Sequence, residues 1–564
     1  MSEPSRPATP APGATPPTGA APAPAGPALP PVGPDQVALL IDDRPVVVRK
    51  GTTVLQAAET IDLLIPHYCY HPGLSIAGNC RMCLVEIEKM PKLQIGCATL
   101  ATQGMQVRTT TPKVKTTRQG IMEFLLINHP LDCPICDQAG ECRLQQYEAD
   151  YGAGFSRFSE EKVHHEKRHD LGRHVMFDAE RCIKCTRCIR FCDEVSRTHE
   201  LTLVERGDHA IIATFPGRPL DNPYSGNTVD VCPVGALTLK EFRFKARVWF
   251  LRDVPSVCAG CARGCSVNLG TYRNEIHRMT PRLNPEVNSH WMCDAGRLSY
   301  RELNETPRLE SPRIVAAGDG GPQREAAWDT ALDRAAELLR AASSGPPAGG
   351  SLAALVSARL SLEDLHLARR ALTEAIGIPR LALPPHEDGE DDRLLIRRDK
   401  TSNARGAALL GLSAPHAGRV REILDDVRAG RVRGLVIVGE DPVGDGLITV
   451  EDLRRLQALV VVDWRQSPTL QAAHVALPAC GYGEYEGVLV NFEGWAQRAR
   501  AALKPRGEAE PAWRILLALG RRFGLAGDYA NPSEVFDEVA ARSPAFTGLS
   551  YRALGLLGAR VQGA

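Results

Sequence analysis

Three cysteines in the stretch HPLDCPICDQAGEC, namely Cys133, Cys136 and Cys142, stand at a spacing that suits a metal ion or an inorganic cluster, and they leave one corner of a four-ligand site open. His129 lies four residues upstream. Its imidazole is either the fourth ligand or a side chain at a helix C-terminus complementing the helix dipole. The remaining cysteines give that choice its context. Sixteen of the seventeen fall between Cys69 and Cys293, and only Cys480 lies in the C-terminal half. With no export signal in the sequence, that usage points to a reducing compartment in which thiols serve metal rather than pair as disulfides.

The sixteen sort into groups. CYHPGLSIAGNCRMC with the later LQIGCATL supplies Cys69, Cys80, Cys83 and Cys97. Gly73 and Gly78 in that loop let backbone amides turn toward inorganic sulfur, as a [2Fe–2S] cluster requires. The first gap of ten residues departs from the four of plant-type ferredoxins. RCIKCTRCIRFC gives Cys182, Cys185 and Cys188, a tripod for three corners of a [4Fe–4S] cubane, and VCPVGAL gives Cys232 as the remote Cys-Pro ligand. Cys192 follows the tripod, but no second tripod precedes Cys232, so Cys192 is expected to be a buried free thiol. CAGCARGC and WMCDAGR supply Cys258, Cys261, Cys265 and Cys293, a further cubane spacing with Gly260 and Gly264 allowing close backbone approach. Structural zinc on the same thiolates is the plain alternative throughout.

These loops need carriers. VALLID and PVVVRK read as strands joined at Asp42 and Asp43, and TTVLQAAETI reads as a helix capped by Thr52 or Thr53. LVEIEK and MQVRTT complete a small sheet, the pattern of a β-grasp ferredoxin domain. Val114, Thr117, Ile121, Phe124, Leu125 and Ile127 recur near helical spacing, and Pro130 is expected to stop that helix just after His129. EEKVHHEKRHDLGRH, with His164, His165, His169 and His174, has no regular ligand spacing and reads as a solvated connecting loop. Beyond residue 300, AAWDTALDRAAELLRAA is an amphipathic helix, PPAGG a linker, and GLVIVGEDPVG and LVVVDW are buried strands, which together predict a doubly wound α/β domain.

The 564 residues exceed one hydrophobic core, and a balance of 67 basic against 67 acidic side chains gives no net field for nucleic acid or anionic lipid. The first 35 residues are Pro/Ala-rich, lack a signal-peptide pattern and read as a disordered tail. No run is long and apolar enough to span a membrane. The glycines near 319–321 and 349–350 lack a phosphate-loop pattern, so no nucleotide site is expected.

In their order and spacing, the four cysteine groups of residues 36–300 resemble the large iron–sulfur subunit (75 kDa type) of respiratory complex I, NADH:quinone oxidoreductase. The resemblance implies that His129 joins Cys133, Cys136 and Cys142 on a [4Fe–4S] cluster, where neutral imidazole in place of thiolate makes the centre easier to reduce. It implies one [2Fe–2S] cluster on Cys69, Cys80, Cys83 and Cys97. It further implies cubanes on Cys182, Cys185, Cys188 and Cys232 and on Cys258, Cys261, Cys265 and Cys293, the last lying off the main path. Electrons would arrive from a flavin subunit that oxidises NADH and leave toward downstream iron–sulfur and quinone-site subunits. Such a subunit is a peripheral electron carrier without a catalytic residue of its own, on the cytoplasmic side of the bacterial inner membrane.

The expected architecture is multidomain α+β and α/β. It comprises a tail (1–35), a β-grasp [2Fe–2S] domain (36–111), a His/Cys segment (112–152), a bacterial-ferredoxin-like domain (153–250), a molybdopterin-oxidoreductase-type cluster motif (251–307) and a reduced molybdopterin-oxidoreductase-like α/β domain (308–564). HVALPACGYGEYEGVLVNFEGWAQRARAALKPRGEAEPAW resembles that last domain. Only about 265 residues follow the last cluster motif and Cys480 comes late, so no molybdopterin is expected. The competing classes are a formate-dehydrogenase α-like enzyme, the diaphorase subunit of an NAD-reducing hydrogenase, and a zinc scaffold.

Overall fold

The computed structural model describes residues 29–315, 321–344 and 351–563. The tail up to residue 28, the PPAGG linker, and Gly320 and Gly350 of the glycine pairs lie outside the described residues. Two compact units divide the chain. One takes residues up to Tyr70, Ile76–Ile127 and Tyr147–Ser159; the other takes His71–Ser75, Asn128–Gln146 and Glu160–Ala564.

The first unit is built on strands Gln36–Ile41 and Arg44–Arg49, whose β-branched residues pair antiparallel from Gln36 with Arg49 to Ile41 with Arg44. Asp42 and Asp43 both take positive φ (47° and 63°), which closes the hairpin in two residues. Strand Gln36–Ile41 also pairs in parallel with Gln106–Arg108, and Leu84–Ile87 lies on the far side of the latter. That mixed five-stranded sheet carries helix Val54–Glu59 through Val54, Leu55, Ala57 and Ala58. Full burial of an aliphatic side chain such as Leu55 contributes on the order of 1.5–3 kcal/mol. Thr53, rather than Thr52, caps the helix: its hydroxyl accepts from the Gln56 amide, and the Gln56 side chain accepts from the Thr53 amide at 3.0 Å.

The next helix, Pro112–Leu126, departs from expectation in two ways. It ends at Leu126 with Ile127 as cap, three residues short of His129, because the residue before Pro130 is sterically driven from the helical region. Its buried face is Val114, Arg118 and Met122, while Phe124 is 78% exposed. Hydropathy assigns an arginine outward. Here Arg118 donates to the Leu84 carbonyl at 3.1 Å and its guanidinium lies over the Tyr151 ring.

In the second unit, Val175–Phe177 pairs with Leu237–Leu239 and with His169–Asp170, and Leu201–Val204 forms a hairpin with Ile211–Thr214. Three antiparallel strands follow, Arg252–Val257, Ser266–Tyr272 and Glu275–Pro281. The C-terminal sheet runs Arg324–Glu325, Arg313–Ile314, Val475–Pro478, Ala458–Asp463, Gly434–Val438, Leu352–Val356 and Arg380–Ala382, with the last five strands parallel. Val436, Val438, Val460 and Val462 enter one core and Leu435, Ile437, Leu459 and Val461 another. Both faces are covered, as a doubly wound sheet of near-continuous apolar strands requires. The expected helix is Trp328–Ser343.

Candidate metal centres

The first group gathers four sulfurs. Cys69, Cys83 and Cys97 are buried and Cys80 is partly exposed. The amides of Tyr68 and Cys69 point at the Cys80 sulfur from 3.4 and 3.5 Å. The thiols bond in pairs, Cys80 with Cys69 and Cys97 with Cys83. Bonding to Cys83, then burial, then the nearby Cys83, Cys69 and Cys80 sulfurs push the Cys97 thiol up. Four thiolates repelling one another in a buried space are a donor set for a cationic iron core. Gly78, at φ +62°, makes the turn, whereas the Gly73 amide faces His71 Nδ1 (3.1 Å) rather than sulfur.

Around the second group, backbone and side chains from far along the chain fix the loop. Arg247 donates to the Cys136 carbonyl at 2.8 Å and to the Pro134 carbonyl, and the Asp137 carboxylate accepts from the Phe244 amide at 3.1 Å. The Arg143 amide donates to Pro233 O (3.2 Å), and Arg278 holds Glu141 through two 2.9 Å bonds. Gly235 packs so close that a Cβ there would lie 2.2 Å from the Cys136 sulfur. The Cys142 thiol is raised by burial and then by the Cys136 and Cys133 sulfurs, so these three cysteines share one neighbourhood. His129 is lowered to about 4 by burial, then by Arg181 and Lys162. It is therefore neutral at physiological pH, the form in which imidazole binds metal. The charge of Arg181 also acts on Cys136, whose thiol is raised chiefly by burial.

Asp132 anchors this region, accepting from Lys167 at 2.6 Å and from Arg181 at 2.7 Å. The histidine-rich connection is consequently pinned rather than loose: Lys167 also pairs with Glu180 at 2.8 Å, and His164 Nδ1 lies 2.9 Å from Glu180.

Cys182, Cys185, Cys188 and Cys232 line one small cavity with Phe177, Ile212 and Arg187. Lys184 N faces the Cys182 sulfur at 3.4 Å. Arg187 is buried and its Nη1 donates to the Val231 carbonyl beside Cys232 at 3.0 Å. Cys192 is fully buried outside the residues lining that cavity, its thiol pushed up to about 12 by burial and then by Glu200 and Asp193.

Cys258, Cys261 and Cys265 of the fourth group sit at the turn between Arg252–Val257 and Ser266–Tyr272, closed by the Cys258 amide on the Cys265 carbonyl at 2.8 Å, and Cys293 caps helix Asp294–Leu298. Amides again face sulfur, Gly260 on Cys258 at 3.5 Å and Gly296 on Cys293 at 3.3 Å. A Cβ on Gly296 would stand 3.0 Å from the Cys258 sulfur and 3.3 Å from that of Cys293. The four cysteines open on a cavity of about 490 Å³ that the sequence did not announce. Its far wall is the carboxyl ends of the parallel strands, at Ser357, Gly439 and Asp463, and Cys480 also lines it.

Comparison with known proteins follows the same order. Residues 34–112 match the 2Fe-2S iron-sulfur cluster binding domain and 118–157 the NADH-ubiquinone oxidoreductase-G iron-sulfur binding region. Residues 172–238 match the ferredoxin-like domain of NADH-quinone oxidoreductase subunit 3, 251–305 the molybdopterin oxidoreductase Fe4S4 domain, and 407–522 the molybdopterin oxidoreductase model. The G-type subunit of NADH-quinone oxidoreductase from Rickettsia bellii is 44% identical over 304 residues, 54% of this chain and 44% of that protein. The mitochondrial NADH dehydrogenase [ubiquinone] iron-sulfur protein 1 of Solanum tuberosum is 44% identical over 305 residues, 54% of this chain and 41% of that protein. The chain thus covers less than half the length of these relatives. Among solved structures, a chain of an NAD+-reducing [NiFe]-hydrogenase aligns at 27% identity and a TM-score of 0.34, over 38% of this chain and 91% of its own. Across residues 34–305 the chain is thus similar, motif by motif and in the same order, to the G-type subunits of NADH-quinone oxidoreductase.

Proposed function

We propose that this chain is the iron–sulfur electron-transfer subunit of a proton-translocating NADH:quinone oxidoreductase. In this reading it takes electrons from a flavin-bearing, NADH-oxidising subunit and passes them toward the quinone-reducing subunits. The observation that carries the reading is the sequence of four separate sulfur-rich sites in the family's order. The ligands are Cys69, Cys80, Cys83 and Cys97 for a [2Fe–2S] cluster, and His129, Cys133, Cys136 and Cys142 for the first cubane. Cys182, Cys185, Cys188 and Cys232 hold the second cubane, and Cys258, Cys261, Cys265 and Cys293 the third.

When bound, the clusters supply one-electron transfer. The chain's own work is to hold sulfur donors, aim amides at them, exclude water and fix nearby charge. Among the described residues no helix is long and apolar enough to cross a membrane. The proposal places the chain peripherally, on the cytoplasmic side of a bacterial inner membrane, in contact with the flavin subunit and the downstream iron–sulfur subunits.

Anaerobic purification with counts of iron, sulfide, zinc and molybdenum, followed by EPR at successive potentials, tests this. About fourteen irons, one [2Fe–2S] and three [4Fe–4S] signals, and no molybdenum are expected. Zinc in place of iron throughout would sink the reading. His129→Ala should lose one cubane and leave the other signals intact, while His129→Cys should retain it at a lower potential.

A second reading is favoured by the cavity of about 490 Å³ between the fourth cysteine group and the strand ends, a size that accommodates an organic cofactor. In it the C-terminal domain is a molybdopterin enzyme. Stoichiometric molybdenum in the purified chain would decide for it.

A further inference from the structure

His386, Glu440 and Asp445 present one ligand atom each, all within 4.8 Å of one another, far along the chain from every cysteine group. Glu440 follows Gly439 at the carboxyl end of strand Gly434–Val438 and is 2% exposed. One of its oxygens lies 2.8 Å from His386 Nε2, and the other, Oε1, has no hydrogen-bond partner among the described residues. A carboxylate buried to that degree is stabilised by a compensating cation. Among the described residues no lysine or arginine forms an ion pair with Glu440 or with Asp445. Arg465 pairs with Asp463 at 3.0 Å and reaches only the Gly439 carbonyl beside Glu440, at 3.4 Å, and Arg359 donates to the Lys400 carbonyl at 3.3 Å.

The frame around the three donors is firm. The Lys400 amide donates to the His386 carbonyl at 2.7 Å, and Gly439 N to Val462 O at 2.8 Å. The loop carrying Asp445 closes on Asp441, whose carboxylate accepts from the Gly444 amide (3.1 Å) and the Thr469 amide (3.2 Å), while Asp445 N donates to Asp441 O at 2.9 Å. Asp445 itself is exposed, which gives an ion a way in.

We propose that His386, Glu440 and Asp445 form a divalent transition-metal site with one imidazole and two carboxylate donors, distinct from the iron–sulfur sites. One nitrogen and two oxygens suit zinc or manganese and disfavour magnesium and calcium, which take oxygen ligands. Two carboxylates balance the ion's charge, and the orphaned Glu440 oxygen gains a partner. Binding replaces the His386–Glu440 hydrogen bond and draws the donors to about 3.3 Å from one another, the spacing around an ion with bonds near 2.0–2.1 Å. Water completes the coordination on the Asp445 side. The site is independent of the electron-carrier reading.

Manganese(II) is the probe, since it has little affinity for thiolates and its aqueous six-line EPR signal disappears on binding, while oxidised clusters of both types are EPR-silent. Titration into the oxidised, iron-loaded full chain should remove one equivalent of free manganese per chain. One equivalent of zinc should release it, zinc binding such donors more tightly than manganese does. His386→Ala, Glu440→Gln and Asp445→Asn should each weaken binding at least tenfold. Asp445→Asn changes an exposed side chain and leaves the fold intact. The cluster EPR signals of the reduced protein should be the same in wild type and variants. Absence of a saturable site in the wild type, or unchanged binding in both Glu440→Gln and Asp445→Asn, would overturn the proposal.

Discussion

Arg187 brings the one charged side chain, a permanent cation, into a cavity wall otherwise made of cysteines, apolar side chains and Thr186. A reduced cluster carries one more negative charge than an oxidised one, so a fixed cation beside Cys185 and Cys232 favours the reduced form. Arg187→Met should therefore lower the midpoint potential of the cubane proposed on the Cys182 group. A drop on the order of tens of millivolts is expected, 59 mV being a tenfold change for one electron. A redox titration followed by EPR reads it, and an unchanged potential would show that the guanidinium is electrostatically silent. The cysteines at this site were legible from spacing alone, and so was the isolation of Cys192. Arg187 was not, because an arginine between two cluster cysteines reads as a surface charge until its buried bond to Val231 is seen.

At the level of elements, the loop of the second group and the Cys-Pro turn of the third interlock at Gly235. Gly235→Ala would drive a methyl group into the Cys136 sulfur, 2.2 Å from the ideal Cβ position. The expected result is loss of the second group's iron from a substitution in the third group's motif, with the [2Fe–2S] signal unchanged. Iron analysis with EPR checks it. The β-grasp strands and the capped helix Val54–Glu59 were readable because hairpin, period and cap are all local signals. The clamps from Arg247 and Arg278 were not, since they act across 111 and 137 residues. The helix ending at Leu126 was overrun because apolar period was weighed above the constraint that Pro130 puts on His129.

On the scale of the whole molecule, the C-terminal sheet and its helices hold an acid that sets a pH dependence. Glu363, in helix Leu362–Ala368, is fully buried, accepts from Val488 N and Tyr551 OH at 2.9 Å each, and is pushed up to about 8, chiefly by burial. Its folded pKa lies above its unfolded value, so the folded state binds more protons in between. Its contribution to stability is full below about pH 4.5 and is lost as pH rises through about 8. Thermal unfolding should show Tm falling across that window. Glu363→Gln should flatten the slope and keep the fold, since the amide oxygen can accept from Val488 N while the amide nitrogen donates to the Tyr551 hydroxyl. A slope unchanged in the variant would assign the effect to another group. The doubly wound sheet was readable from its apolar runs. The cavity at its carboxyl edge was not, since its walls come from segments between Cys258 and Ala512 that only the fold assembles.

The clamps on the second group also have a consequence in time. A nascent chain that has emerged as far as Cys142 already carries His129, Cys133 and Cys136, yet it lacks Pro233, Phe244 and Arg247, which hold that loop in place. The order of the motifs along the gene is therefore not the order in which their sites can be completed. During synthesis the second site must wait about another hundred residues, while the first already has its four cysteines and all five strands of its sheet. A ribosome stalled with Cys142 just clear of the exit tunnel should display a chain able to mature only the proposed [2Fe–2S] centre.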